Sequence, residues 1–308
     1  MSNTPQSKLI AKAEASYLGL AIGDALGASV EFMTPREIRA AFMPRRGVHR
    51  ELIGGGWLRL KPGQVTDDTT MALALGAAIL ADAGEVKPLS CAQAFDGWMR
   101  RKPVDIGNTV RRNLLTFRST GDPCAPLSEH DAGNGAAMRV LPVALATLGR
   151  EEAAVRAAIH AQAHVTHHNP ASDAVCALLV FMVQDALRGA SLRELYRGRI
   201  QPFVSAHPEF SFRPKRRENP SGWVVETLQA VLQALLDTGS FEDCLIDVVN
   251  RGGDADTTGA IAGMLAGALY GFDALPPRWL GGLDPVVSSA CRRQAILLVT
   301  GCQRGRPQ

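Results

Sequence analysis

The chain has 308 residues, 46% of them hydrophobic and 20% charged, so it is long enough to bury a substantial core and too apolar to be disordered over most of its length. A formal net charge of +3 gives no ground for a nucleic-acid partner, and short basic clusters such as Arg100-Arg101-Lys102 and Lys215-Arg216-Arg217 read as solvated faces. Six scattered cysteines, with no C-x-x-C pair and no histidine close by in sequence, exclude a disulfide framework and a recognisable zinc site, and point to a reducing compartment, the cytoplasm.

The first apolar stretch follows two lysines but is interrupted by Asp24 and lacks a small-residue cleavage site, so it is not read as a leader. Residues 1–14, and 303–308 at the other end, are expected to be flexible. In "YLGLAIGDALGASVEF" the glycines Gly19, Gly23 and Gly27 recur every four residues. Each costs about 1 kcal/mol against Ala in a helix, so a stripe of them predicts close backbone approach to another helix. "GGGWLRLKPGQ" is the one plausible extended piece. "GQVTDDTTMALALG" then places Thr66, Asp67, Asp68, Thr69 and Thr70 at the mouth of an Ala/Leu helix.

Further on, "KPVDIGNTVRRNL" sets Asp105 and Asn108 before an Arg-bearing helix, and "DAGNGAAMRVLP" sets glycines around Asn134 ahead of another. At that second helix N-terminus, backbone amides with Arg139 nearby could cradle an anion. In "AHVTHHNP", His164 and His168 are one helical turn apart, but no third ligand is spaced to match, so hydrogen bonding to a ligand or capping is favoured over zinc. "SDAVCALLVFMVQDALRG" and "GWVVETLQAVLQALLDTG" have apolar residues at helical spacing and close on Gly. Between them "HPEFSFRPKRRENPSG" reads as a long loop within one domain. The segment 259–272 is apolar but shorter than the ~20 residues a membrane span needs, so it is a core helix and no integral membrane segment is expected.

That closing helix opens with "RGGDADTTGA", and its Gly259, Gly263, Gly267 and Gly271 repeat the spacing of the first stripe. Packing of the two stripes would bring Asp24 and Glu31 toward Asp254 and Asp256. One Asp or Thr is enough to cap a helix. Two acids in each of two clusters exceed that need and would repel one another without a cation between them. Carboxylates and hydroxyls unaccompanied by thiol or imidazole suit hard divalent ions, and four acids with two threonines fit a two-metal centre. The alternatives are unusually acidic helix caps, or two other motifs. The D-x-D-x-T loop of haloacid-dehalogenase-like phosphatases normally lies near the start of its domain. The acidic motif of all-α terpenoid synthases would need an acid where Met71 stands.

Taken in order, "GLAIGDALGASVEF", "IGGGWLRLKPGQ", "TDDTTMAL", "VDIGNT", "GNGAAMR", "THHNP" and "NRGGDADTTGAIAGMLAGALYG" resemble the ADP-ribosylglycohydrolase family, in particular its bacterial branch acting on dinitrogenase reductase. The resemblance implies an all-α, single compact multi-helix domain over 1–308 with a binuclear metal cleft holding two divalent cations, Mn²⁺ or Mg²⁺. Their implied ligands are Thr66, Asp67, Asp68, Asp254, Asp256 and Thr257. The implied ADP-ribose site comprises Gly133, Asn134, Gly135, Met138 and His167, with the helix N-terminus toward the pyrophosphate. Asp105 and Asn108 fall beside the ribose and leaving group, and Glu31 is a further acid near the metals, so Asp105 and Glu31 are the implied catalytic carboxylates.

The activity implied is hydrolysis of ADP-ribosyl-arginine on a protein, nitrogenase iron protein first, with a PII-type regulator as an implied partner. The alternatives are another ADP-ribosyl linkage, serine- or nucleotide-linked, or a protein that binds ADP-ribose without turnover. Where relatives place an adenine-stacking aromatic, this chain has Lys215 and Arg216, so either Trp223 or an arginine plane is the expected substitute, or the adenine pocket is looser and more cationic.

Overall fold

The computed structural model describes residues 4–43 and 46–301. Fifteen α-helices occur among them. In the first half these are α1 (Pro5–Gly27), α2 (Pro35–Ala41), α3 (Asp67–Ala81), α4 (Pro88–Arg100), α5 (Asn108–Thr120), α6 (Leu141–Ala146) and α7 (Glu152–Ala163). The second half adds α8 (Pro170–Leu187), α9 (Leu192–Leu195), α10 (Gln201–Ala206), α11 (Val224–Asp237), α12 (Phe241–Val249), α13 (Ala255–Tyr270), α14 (Pro277–Gly282) and α15 (Pro285–Gly301). The expected extended piece is a loop: Gly54, Gly55 and Gly56 have positive φ, and only the isolated bridge between Gly55 and Leu60 forms.

Two helices from opposite ends of the chain make the centre. α1 starts on a Thr4 cap with Pro at its first turn and is buried almost continuously from Ala13 to Gly27. The chain is helical from Pro5 onward; of the ends expected to be flexible, 1–3 and 303–308 lie outside the described residues. α13 is buried on all sides from Ala255 to Ala268 and lies along α1. A Cβ on Gly23 would stand 1.9 Å from the Gly259 carbonyl oxygen, and one on Gly19 would stand 2.2 Å from that of Gly263. Gly27 and Gly267 repeat the contact against Ala255 and Ala15. Gly271 does not belong to the stripe: it ends α13 at φ +80°.

The surrounding helices complete one core. α3 and α15 pack on one side of the central pair, and α8, α11 and α12 pack on the other. α8 is long and apolar enough to cross a membrane by length and composition, but 72% of it is buried inside the protein. Because α3 and α13 start close together against the end of α1, their acidic first turns meet at one place.

Candidate active site

Three loops converge at the start of α13. Gly252 and Gly253 adopt φ of +70° and +66°, and a Cβ on either would meet the Met33 or Pro220 carbonyl oxygen at 2.0 or 2.1 Å. The backbone there is held by Phe32 N to Gly253 O (2.7 Å), Gly253 N to Met33 O (3.0 Å) and Asp254 N to Pro220 O (2.8 Å). The glycine pair thus ties the segment after α1 and the end of the 207–222 loop to the first turn of α13. As a result Glu31, Asp254 and Asp256 place carboxylate oxygens within 4.8 Å of one another.

Thr66 and Asp254 occupy the N-cap positions of α3 and α13, yet neither side chain makes the capping hydrogen bond. Asp254 Oδ2 instead accepts from Asn134 Nδ2 (2.6 Å), and the Thr66 hydroxyl lies among Asp24 Oδ1 (2.9 Å), Asp68 Oδ2 (3.2 Å) and Asp256 Oδ2 (3.4 Å). Capping therefore does not explain these oxygens. Asp67, Asp68 and Asp256 sit within the first turns, where the helix dipoles favour negative charge. Asp24, fully buried in α1, accepts from the backbone and hydroxyl groups of both Thr66 and Thr69 and so anchors the start of α3.

One cavity of about 450 Å³ opens here. It is lined by Glu31, Asp67, Asp105, Asn108, Gly133, Asn134, Gly135, Met138, His167, Asp254, Asp256 and Thr257. Of the expected site residues, Thr66 and Asp68 stand outside that lining; both are fully buried, with Thr66 in contact with Asp68 and Asp256. The sequence reading gave no role to Phe32, Trp57 or Gly222, which also line the cavity, as do Ile106, Gly107, Thr109 and Val110 around the start of α5. Trp57 donates Nε1–H to Glu31 Oε2 (2.6 Å), and its half-exposed ring packs 5.4 Å from that of Phe32. An exposed Trp beside a run of positive-φ glycines was the available signal.

The donor set fits hard divalent cations. It is all oxygen, Asp68 Oδ1 is buried without a hydrogen-bond partner, and no Lys or Arg forms an ion pair with these carboxylates among the described residues. Burial, with mutual repulsion added, pushes Glu31 and Asp67 up to about 8, and Asp68 and Asp256 well above the ordinary carboxylate range. Burial raises Asp24 to about 6 despite its four hydrogen bonds. Asp105, in the wall just ahead of α5, is also raised, by burial first and by the Asp254 charge in addition.

The glycine turn differs from expectation. Gly133–Val140 is a series of turns, and α6 begins only at Leu141, so no helix N-terminus faces the cavity at Asn134. Arg139 is no anion ligand either. It is fully buried, stacks 4.3 Å over Phe95, and donates to Gln162 and to Thr166 Oγ1 (2.7 Å). Thr166 Oγ1 in turn lies 2.8 Å from His167 Nδ1. Arg139 can only donate, and the buried Thr166 hydroxyl meets no acceptor other than His167 Nδ1 among the described residues, so its proton goes to Nδ1, and Nε2 is the protonated nitrogen beside Gly133 and Gly135. Burial, reinforced by Arg139 and Arg112, lowers His167 to about 3 and keeps it neutral.

Of the two expected adenine partners, Trp223 is at the site: its backbone bridges to Gly133, and its half-exposed side chain follows Gly222. Arg216 instead turns to Asp247 of α12.

Comparison with known proteins identifies the family and the fold. The family model described as ADP-ribosylglycohydrolase matches residues 5–306. An ADP-ribosyl-[dinitrogen reductase] glycohydrolase from Rhodospirillum rubrum is 48% identical, over 94% of this chain and 97% of its own. The ADP-ribosylarginine hydrolase Tri1 of Serratia proteamaculans is 32% identical, over 91% and 77%. A solved structure described as an ADP-ribosylglycohydrolase-related protein complex superposes with TM-score 0.83 at 34% identity, over 95% of this chain and 98% of that one.

Proposed function

The chain belongs to the ADP-ribosylglycohydrolase family, and on that premise we propose that it is a metal-dependent hydrolase of the N-glycosidic bond between ADP-ribose and a protein arginine. The observation that carries the reading is the convergence of Glu31, Asp67, Asp105, Asp254 and Asp256 on one cavity with Asn134 and His167, while Thr66 and Asp254 leave their helices uncapped. Dinitrogenase reductase (nitrogenase iron protein) is the proposed target, because it is the substrate in the name of the 48%-identical relative; the Tri1 name carries the arginine linkage. A PII-type regulator enters from the family resemblance alone. The cytoplasm is the compartment that suits the free thiols.

Two divalent cations, Mn²⁺ or Mg²⁺, held by Thr66, Asp67, Asp68, Asp254, Asp256 and Thr257, would fix the ribose hydroxyls and supply hydroxide near neutral pH. The protein's own groups do the rest. Asn134, with its amide committed to Asp254 and Thr227, sets the orientation of Asp254. His167 offers Nε2–H to a hydroxyl or phosphate oxygen held beside Gly133 and Gly135, and Met138 gives that end of the cavity an apolar wall. Trp223, half-exposed next to Gly222 of the cavity wall, is the aromatic available to stack on the adenine.

Cleavage builds positive charge on the ribose and requires a proton on the departing guanidine. Asp105 retains its proton to higher pH than an exposed aspartate, so it can hand that proton to the leaving nitrogen and then face the cationic sugar as a carboxylate. Asn108, exposed in the first turn of α5, lies at the same wall. Glu31 is held by Trp57 on the side of Asp254 and Asp256, where a carboxylate can orient water.

The test is release of ADP-ribose from arginine-modified dinitrogenase reductase, with serine-linked protein compared in parallel. Turnover is expected with Mn²⁺ or Mg²⁺ on the arginine linkage. Chelation or Asp256→Ala should lower it about 100-fold or more, since even groups that only orient a metal ligand cost 10–100-fold. Full activity after either treatment defeats the reading; a preference for the serine linkage reassigns the substrate.

A further inference from the structure

Three of the histidines that the cavity does not use, His160, His164 and His168, form a second cluster. After α7 ends at Ala163 the chain turns before α8 begins at Pro170, and His160, His164 and His168 stack in a row. Their ring centroids are 4.9 and 3.9 Å apart, with planes inclined by 9° and 19°. The loop after α5 is stitched to this turn by Ala125 N to His164 O (2.8 Å) and Ser128 N to His168 O (3.1 Å). Those bonds bring Cys124 Sγ within 3.7 Å of His168 Nδ1, which donates to Ala125 O (2.7 Å), a bond that an ion bound at that nitrogen would replace. The third ligand that the sequence lacks near His164 and His168 is thus supplied from forty residues away. Ligand-capable atoms of Cys124, His164 and His168 lie within 4.8 Å of one another, and so do those of His160, His164 and Asp173.

We propose that Cys124, His164 and His168 form a binding site for a thiophilic divalent cation of the zinc class. One thiolate and two imidazoles are the donors such an ion prefers, whereas Mg²⁺ and Mn²⁺ prefer the oxygens of the catalytic cavity. His164 Nε2 is hydrogen-bonded to both Asp173 oxygens (3.0 and 2.9 Å), the partner that metal-binding histidines use to hold ring and tautomer, and the other ring nitrogen carries the lone pair. Cys124 is exposed, so its place among the rings is not explained by core packing, unlike buried Cys91, Cys176, Cys244 and Cys291. With His160 and a surface recess of about 580 Å³ alongside, an ion has a path in. Bound there, it would clamp the 122–128 loop to the turn that presents His167.

The test reads metal binding and needs no turnover. Full-length protein carrying Cys302→Ser, with Mg²⁺ present to fill the oxygen-lined cavity, is titrated with Co²⁺ and followed by absorption. One equivalent is expected, with a thiolate-to-cobalt charge-transfer band in the near ultraviolet that Zn²⁺ displaces and Cys124→Ser abolishes. Asp173→Asn should weaken binding about tenfold. Cys124 lies outside the cavity, so Cys124→Ser should keep the parent's circular dichroism and hydrolysis rate. Absence of the band in the Cys302→Ser protein, or its survival in Cys124→Ser, overturns the proposal.

Discussion

His167 acts through the residues behind it. Arg139 has no exposed surface, commits Nε and Nη2 to Gln162 and Thr166 while Nη1 stays buried without a partner, and through Thr166 leaves His167 with its proton on the nitrogen nearest the two glycines. Gly135 is therefore a residue whose missing side chain matters. A Cβ there would stand 2.6 Å from His167 Cε1 and 3.0 Å from Nε2, and the buried ring would have to give way. Gly135→Ala should lower kcat/KM about tenfold, the loss of one neutral hydrogen bond at about 1.4 kcal/mol. Steady-state kinetics on ADP-ribosyl-arginine checks this, and in a His167→Ala background the same change should cost much less, because the group it displaces is gone. Wild-type kcat/KM for Gly135→Ala would show that His167 does not touch the substrate. The sequence singled out Gly135 in a glycine turn and His167 in a histidine run but placed both at the ADP-ribose only through the family likeness, and it misread Arg139, because a buried arginine that props a neighbour looks the same in a string of letters as one that meets an anion.

Helices α1 and α13 were legible for a physical reason: glycine at every fourth position is costly unless something else occupies the space, and in both helices the occupant is the other backbone. Gly23→Ala would drive a methyl group into the Gly259 carbonyl at 1.9 Å, with backbone on both sides of the clash. It should destabilise by about 3 kcal/mol, the upper part of the overpacking range, and lower Tm by about 5 °C. Gly97→Ala is the control: it lies inside α4 with nothing within 4 Å, so it should be neutral or stabilising by about 0.5–1 kcal/mol. Thermal melts of the two variants side by side settle the comparison; equal Tm values would mean that the stripe is compositional. The acids at the start of α3 and α13 were legible too, since two carboxylates per cluster exceed a cap. The Cys124 cluster was not, because its members meet only after the α5–α6 loop folds over the end of α7, a contact that no local spacing encodes.

At the scale of the whole molecule, α1, α3 and α13 are packed so that their ends force carboxylates together, and the fold itself therefore depends on what neutralises them. Without a cation the neutralising agent is the proton. Glu31 and Asp67 are held at about 8 in the folded chain against roughly 4 when unfolded, so over that interval the native state binds more protons and stability falls as pH rises. His167, lowered to about 3, acts in the opposite sense only below its unfolded value near 6.5, and the buried thiols contribute only above about 8.5. Between about pH 7 and 8.3 Glu31 and Asp67, with Asp68 and Asp256 raised in the same sense, consequently dominate. Chelated protein should lose Tm across that window, whereas protein saturated with Mn²⁺ or Mg²⁺ should hold or gain, because the ions bind the ionised form and add RT ln(1 + [L]/Kd) of stability. The gap between the two melting curves must widen with pH. A chelated protein with a flat Tm across the window would mean that these acids are ionised and separately compensated, and the argument for a cation among them would lose its electrostatic basis.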